Sequence, residues 1–165
     1  MNENLSFIGY QGPNILLTVI LGGLYYQNIS SPYPYAFIIA WQIVSHLINV
    51  IIKNTLKAPR PENYKDSQFP YLKPNISNYL TIHRNFGMPS GHMQAIISEL
   101  TFIVMYFKNP ILISVTLAQT LLTAWQRYDS KSHSIKQIIA GSLIGIIIGL
   151  SFYNIYCAIP HYYKY

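Results

Sequence analysis

Met88-Pro89-Ser90-Gly91-His92 stands where a polar, proline-rich stretch gives way to an apolar run, and two further polar blocks flank it. Upstream is Lys53-Asn54-Thr55-Leu56-Lys57-Ala58-Pro59-Arg60-Pro61, a Lys and an Arg-Pro pair with six residues between them. Downstream is Arg127-Tyr128-Asp129-Ser130-Lys131-Ser132-His133, an Arg and a His with five between them. Ser-Gly-His alone is common by chance. Its weight here comes from the order of the blocks and from the apolar segments that separate them.

At 165 residues the chain has room for one domain, residues 1–165. Hydrophobic residues make up 51% and charged residues 10%, against roughly 25% charge in an ordinary soluble domain. With a positive mean hydropathy, this composition is that of a membrane protein. The net charge of +6 does not indicate nucleic acid, because the basic residues fall mainly in residues 53–84 and 127–136 rather than in a stripe beside exposed aromatics. The one cysteine, Cys157, excludes an intramolecular disulfide and a cysteine metal site, and is expected to be a buried spectator thiol. The opening MNENLSFIGYQGPN lacks a basic n-region, so the first apolar run is expected to be kept as a helix.

Apolar runs cover about residues 13–26, 34–52, 92–107, 110–125 and 138–158, which predicts an all-α integral membrane bundle of about five transmembrane helices. The first is short for a full span. Pro13 suits a helix start, and Lys108-Asn109-Pro110 marks a tight break. Residues 53–89 read as an ordered re-entrant or surface loop with a short helix near Tyr79. Two spans separate residues 53–91 from 126–137, so both segments must lie on one membrane face. Tyrosines cluster at 25–35, 64–79 and 153–165, which fits interfacial belts or a compositional bias shared with Ile, Asn and Lys.

Phosphate ester cleavage requires cations for the charged oxygens, an in-line nucleophile and an acid for the leaving group. Arg60 and Arg127 offer planar donor forks that match phosphate, Lys53 adds a point charge, and Pro61 fixes the chain after Arg60. Gly91 allows close backbone approach to an anion, free amides at a helix start favour negative charge, and Ser90 adds a hydroxyl. Lys57 reads as surface.

The three blocks together, across about residues 45–145, resemble the type 2 phosphatidic acid phosphatase superfamily, which includes membrane lipid phosphatases and the vanadium haloperoxidases. Members of that family commonly have six membrane helices. The resemblance implies that His133 is the nucleophile and forms a phosphohistidine, that His92 protonates the leaving alkoxide, and that no metal or cofactor is needed. It also implies a site on the outer or lumenal face, whereas the positive-inside rule would place these basic segments in the cytoplasm. The implied partner is a membrane lipid phosphate or diphosphate. Small size and the predicted spans argue against soluble haloperoxidase chemistry.

One position departs from the family pattern. Four residues after the nucleophilic His the family has Asp, which orients the imidazole and stabilises its positive charge; here Gln137 stands in its place. A Gln can accept from the imidazole but carries no charge, so the expectation is a weakened enzyme whose rate rises in Gln137→Asp. Asp129, four residues before His133, is a second candidate acceptor. The family often has Ser before the Arg of the third block, where this chain has Gln126. The alternative reading is a membrane protein that binds lipid phosphate with little or no turnover; an accidental match on a small scaffold is the blander one.

Gln137, Gly141, Gly145 and Gly149 follow His133 at intervals of four and share its helical face. Such a stripe permits close helix packing inside the bundle, with oligomerisation through it as the lesser alternative. Glu99 and His46 fall within apolar runs, where ionisable groups are either functional candidates, here able to pair with each other, or structural hydrogen-bonding groups inside the bundle.

Overall fold

The computed structural model describes residues 3–27, 29, 31–62 and 86–159. Among these are six α-helices: α1 Glu3–Tyr10, α2 Gly12–Tyr26, α3 Tyr33–Leu56, α4 Gly91–Tyr106, α5 Pro110–Asp129 and α6 Ile135–Ala158. Five of them match the five apolar runs. The sixth, α1, follows none of those runs and is a finding of the structure. The segment expected to hold a short helix near Tyr79 lies outside the described residues.

Local chemistry sets the ends. Pro34 and Pro110 each occupy the first turn of a helix, where a missing N–H is harmless. Asn109 caps α5 by accepting from the backbone N–H groups of Ile111 and Leu112 at 3.0 and 3.1 Å. Lys57 takes the left-handed conformation (φ 47°) and stops α3. That stop falls beyond the expected end of the second run, so Lys53 lies in the last helical turn and not in the loop.

The bundle is held together by close backbone approach and polar contacts, as expected where lipid surrounds the helices. Side chains at Gly141, Gly145 and Gly149 would collide with the carbonyls of Ser90, Gln94 and Ser98, so the glycine stripe of α6 lies directly on α4. The face considered for oligomerisation is therefore covered within the chain. Gln94 donates to the Ser45 carbonyl at 2.7 Å and accepts from Asn49 at 2.9 Å, tying α4 to α3. Glu99 accepts from Gln42 at 2.6 Å, while His46 is exposed. Of the two readings for these residues, the structural hydrogen bond holds for Glu99.

Large apolar side chains point outward along the long helices, including Ile43, Leu47 and Ile51 on α3 and Ile139, Leu143 and Ile147 on α6. The two 24-residue helices α3 and α6 are long and apolar enough to cross a membrane. α1 and α2, bent by 57° at their junction, give a third span if taken as one broken segment. α4 has 16 residues, about 24 Å at 1.5 Å per residue, which is short of a hydrocarbon core of about 30 Å. α5 buries Thr116, Thr120, Thr123 and Gln126 instead of an apolar face. The protein is thus an all-α membrane bundle; among the described residues two helices meet the criteria for a span on length and composition, and the bent pair α1–α2 adds a third if taken as one. Cys157, expected to be buried, is exposed on α6.

An aromatic cluster fills one end: Phe152 stacks on Phe37 and Trp41, and Tyr156 meets Phe102 edge-on. The opposite end gathers the C-termini of α3 and α5 and the N-termini of α4 and α6. The two polar segments predicted to share a membrane face meet there.

Candidate active site

Each block reaches this end by a defined route. In the first, Lys53 projects from the last turn of α3 and is buried. After the α3 stop the chain carries Arg60 across to the third block, where its Nη1 donates to the Ser132 carbonyl at 2.7 Å. Lys57 is exposed, in line with its reading as a surface residue.

The third block folds back on itself. The His133 amide donates to the Arg127 carbonyl at 3.1 Å, Lys131 adopts a left-handed conformation, and the Ser130 and Ser132 hydroxyls bond at 2.8 Å. A loop that would otherwise be floppy thus brings Arg127 and His133 to one place, and both are buried. Arg127 is braced from its own helix, with Nε donating to Gln126 Oε1 at 2.7 Å. Gln126, which departs from the usual Ser, is wholly buried and has this bracing role.

In the second block Ser90 caps α4, accepting from the Met93 amide at 3.5 Å, and its own amide donates to the Gln137 carbonyl at 3.0 Å. A Cβ at Gly91 would sit 3.0 Å from Asn49 Oδ1, so this glycine lets α3 approach the start of α4.

The two histidines have opposite tautomers, fixed by their partners. A guanidinium can only donate, so His92 Nδ1, 3.3 Å from Arg127 Nη1, must accept, and the ring proton sits on Nε2. A carbonyl can only accept, so His133 Nδ1, 2.8 Å from the Gly87 oxygen, must donate, and Nε2 keeps its lone pair. Burial, and then the positive charges of Arg60, Arg127 and Lys53, push the His133 pKa down to about 2, so the imidazole is neutral.

This geometry corrects the role expected of Gln137. Its Oε1 accepts from the Ser134 amide at 3.0 Å, completing a capping box, and its Nε2 donates to the Pro59 carbonyl at 2.7 Å. The acceptor for His133 is instead the Gly87 carbonyl, and Gln137 lies against Gly87 so closely that a Cβ there would meet its amide. Gly87 is further pinned by its amide, which donates to the Ala58 carbonyl at 2.8 Å beside the Pro59–Phe86 bridge. Gln137 therefore ties the first two blocks, through Pro59 and Ser90, to Ser134, the cap of α6 that directly follows the third. Asp129 is exposed at the end of α5 and is not the acceptor either.

Sequence reading missed Gly87 and Tyr10. Gly87 directly precedes the central motif, but a backbone carbonyl leaves no residue-type signal. Tyr10 reaches the site from α1: its ring lies 4.9 Å from the His92 ring and 5.1 Å from the Arg127 guanidinium carbon.

Comparison with known proteins gives one family match: the model described as PAP2 superfamily covers residues 34–159, which include all three blocks and exclude α1 and α2. No curated protein and no solved structure matches the chain.

Proposed function

The chain belongs to the PAP2 superfamily, whose members are generally phosphatases, and on that premise we propose that it hydrolyses a membrane lipid phosphate or diphosphate without a metal, through a phosphohistidine. The observation that carries this reading is the tautomer of His133. Its bare Nε2 belongs to a buried, neutral ring under the influence of three cations, the arrangement a nucleophile needs toward an anionic substrate.

Lys53, Arg60 and Arg127 take the phosphoryl oxygens, with the Ser90 hydroxyl and the backbone at Gly91 as further donors. His92 takes up a proton together with the anionic substrate; His133 Nε2 then attacks phosphorus as the bond to the leaving oxygen breaks, and the His92 imidazolium gives its Nε2 proton to that oxygen and becomes neutral. The ring of the phosphohistidine is then cationic, and its Nδ1–H stays on the Gly87 carbonyl. Water, losing its proton to His92, attacks phosphorus, the P–N bond breaks, and phosphate leaves with His133 restored. A carbonyl dipole fixes the tautomer as a carboxylate would but contributes no full negative charge, which favours modest turnover. The setting, a cationic site at the end of helices with apolar exteriors, supports a lipid substrate.

The test is phosphate release by detergent-purified protein in excess chelator, from phosphatidic acid, diacylglycerol pyrophosphate and a polyprenyl diphosphate. Release that vanishes in His133→Ala is expected. Absence of release from protein that still binds these lipids would instead make the site a phosphate-binding one.

A further inference from the structure

Tyr10 lies outside the region that carries the family match, yet it contacts two of the groups assigned to phosphate chemistry. Its position is fixed by a set of contacts between α1 and α5. Thr123 donates its hydroxyl to the Gly9 carbonyl at 2.8 Å, Gln119 donates to the Ile8 carbonyl at 2.9 Å, and the Gln126 amide reaches the Ser6 hydroxyl at 3.5 Å. Gly9 is required at this crossing, because a Cβ there would lie 2.8 Å from Gln126 Cβ and 3.0 Å from the Leu122 carbonyl. The last residue of α1 is thereby delivered onto the C-terminal end of α5, one residue after that glycine.

There the aromatic ring does two things at once. It presents its negative face to Arg127 in a cation–π contact. It also packs at 49° against the His92 imidazole. His92 and Arg127 bond to each other at 3.3 Å, so the ring supports both members of one pair.

We propose that Tyr10 is a positioning residue that makes α1 part of the active site, with its ring holding the His92 imidazole and the Arg127 guanidinium in their working geometry. The proposal rests on the phosphatase reading for its kinetic consequence. Since His92 serves the leaving group, a loosened His92 slows esters of poor leaving groups far more than esters that depart without protonation. The ring face does the holding, so Phe substitutes for Tyr and an aliphatic residue does not.

The experiment compares Tyr10→Leu and Tyr10→Phe on octyl phosphate and on 4-nitrophenyl phosphate, in the full-length protein. Tyr10→Leu is expected to lose about tenfold in kcat on octyl phosphate, the equivalent of about 1.4 kcal/mol, with a clearly smaller loss on the aryl ester. Tyr10→Phe is expected to stay near wild type on both. Equal losses on the two esters, or none, would overturn the proposal. Vanadate binding by calorimetry is read in parallel, because it reports Arg127 without turnover. Weaker binding in Tyr10→Leu with recovery in Tyr10→Phe supports the proposal even if the wild type releases no phosphate, which would sink only the phosphatase reading. Unchanged vanadate affinity in Tyr10→Leu counts against Tyr10 itself.

Discussion

Replacing Gln137 by Asp restores the residue type that the family pattern places four positions after the nucleophile, and the sequence alone predicts a faster enzyme. The structure predicts the reverse. His133 Nδ1 already donates to Gly87 at 2.8 Å, so a carboxylate at 137 finds no vacant proton to accept. What the substitution removes is the Nε2 bond to the Pro59 carbonyl at 2.7 Å. Pro59 is exposed and its carbonyl can rehydrate, so the net loss is that of an ordinary hydrogen bond, about 0.5–1.5 kcal/mol. Shortening the side chain by one methylene beside Gly87 removes about 0.8 kcal/mol of burial. An acid in the first turn of α6 returns about 0.3–1 kcal/mol. The balance is a destabilisation of about 0.3–2 kcal/mol, which lowers Tm by about 1–8 °C in a chain of this size. A new carboxylate beside Pro59, the residue before Arg60, also competes with substrate phosphate for that cation. The assay pairs thermal unfolding in detergent with phosphate release, and Gln137→Glu serves as the control that keeps the length and the cap acceptor. Expected are a lower Tm and a kcat no higher than wild type for Gln137→Asp. A tenfold rise in kcat with Tm unchanged would refute the argument and return the imidazole-acceptor role to position 137.

Two further predictions concern packing and pH. Gly145→Val places a Cβ 2.6 Å from the Gln94 carbonyl and 3.0 Å from Ile97 Cβ; it should destabilise by about 2–3 kcal/mol and leave the oligomeric state seen by size exclusion unchanged, whereas loss of an oligomer at constant Tm would show that the stripe faces a second copy. His133 is held neutral when folded, its pKa depressed to about 2, but takes up a proton near its ordinary value of 6.5 when unfolded. Its contribution to stability is therefore full above about pH 6.5 and falls as pH drops below it. The loss is about 1.4 kcal/mol by pH 5.5, or about 3–6 °C in Tm. His133→Asn should lack this pH dependence, and parallel Tm curves for the two proteins would refute the assignment.

Residue pattern alone was enough for five of the six helices described and for the gathering of the three blocks. Runs of apolar residues broken by Asn109-Pro110 and Ser134 have one economical solution in lipid, since every backbone polar group must be satisfied within a helix. With two apolar helices between the polar segments, parity brings their ends to one side, and the glycine period turns α6 into the bundle. Lys53, Arg60, His92, Arg127 and His133 were legible because charge and imidazole are side-chain properties visible in the residue type. Tertiary structure alone decided the rest. The Gly87 carbonyl is a backbone group that every residue carries, so only its placement makes it the partner of His133. Gln137 was read as a substitute acceptor because spacing along a helix says which residues share a face, not which of two competing partners an amide will take. Tyr10 is more than 80 residues from His92 in sequence, and a contact so distant is set by how α1 crosses α5, which no local pattern encodes.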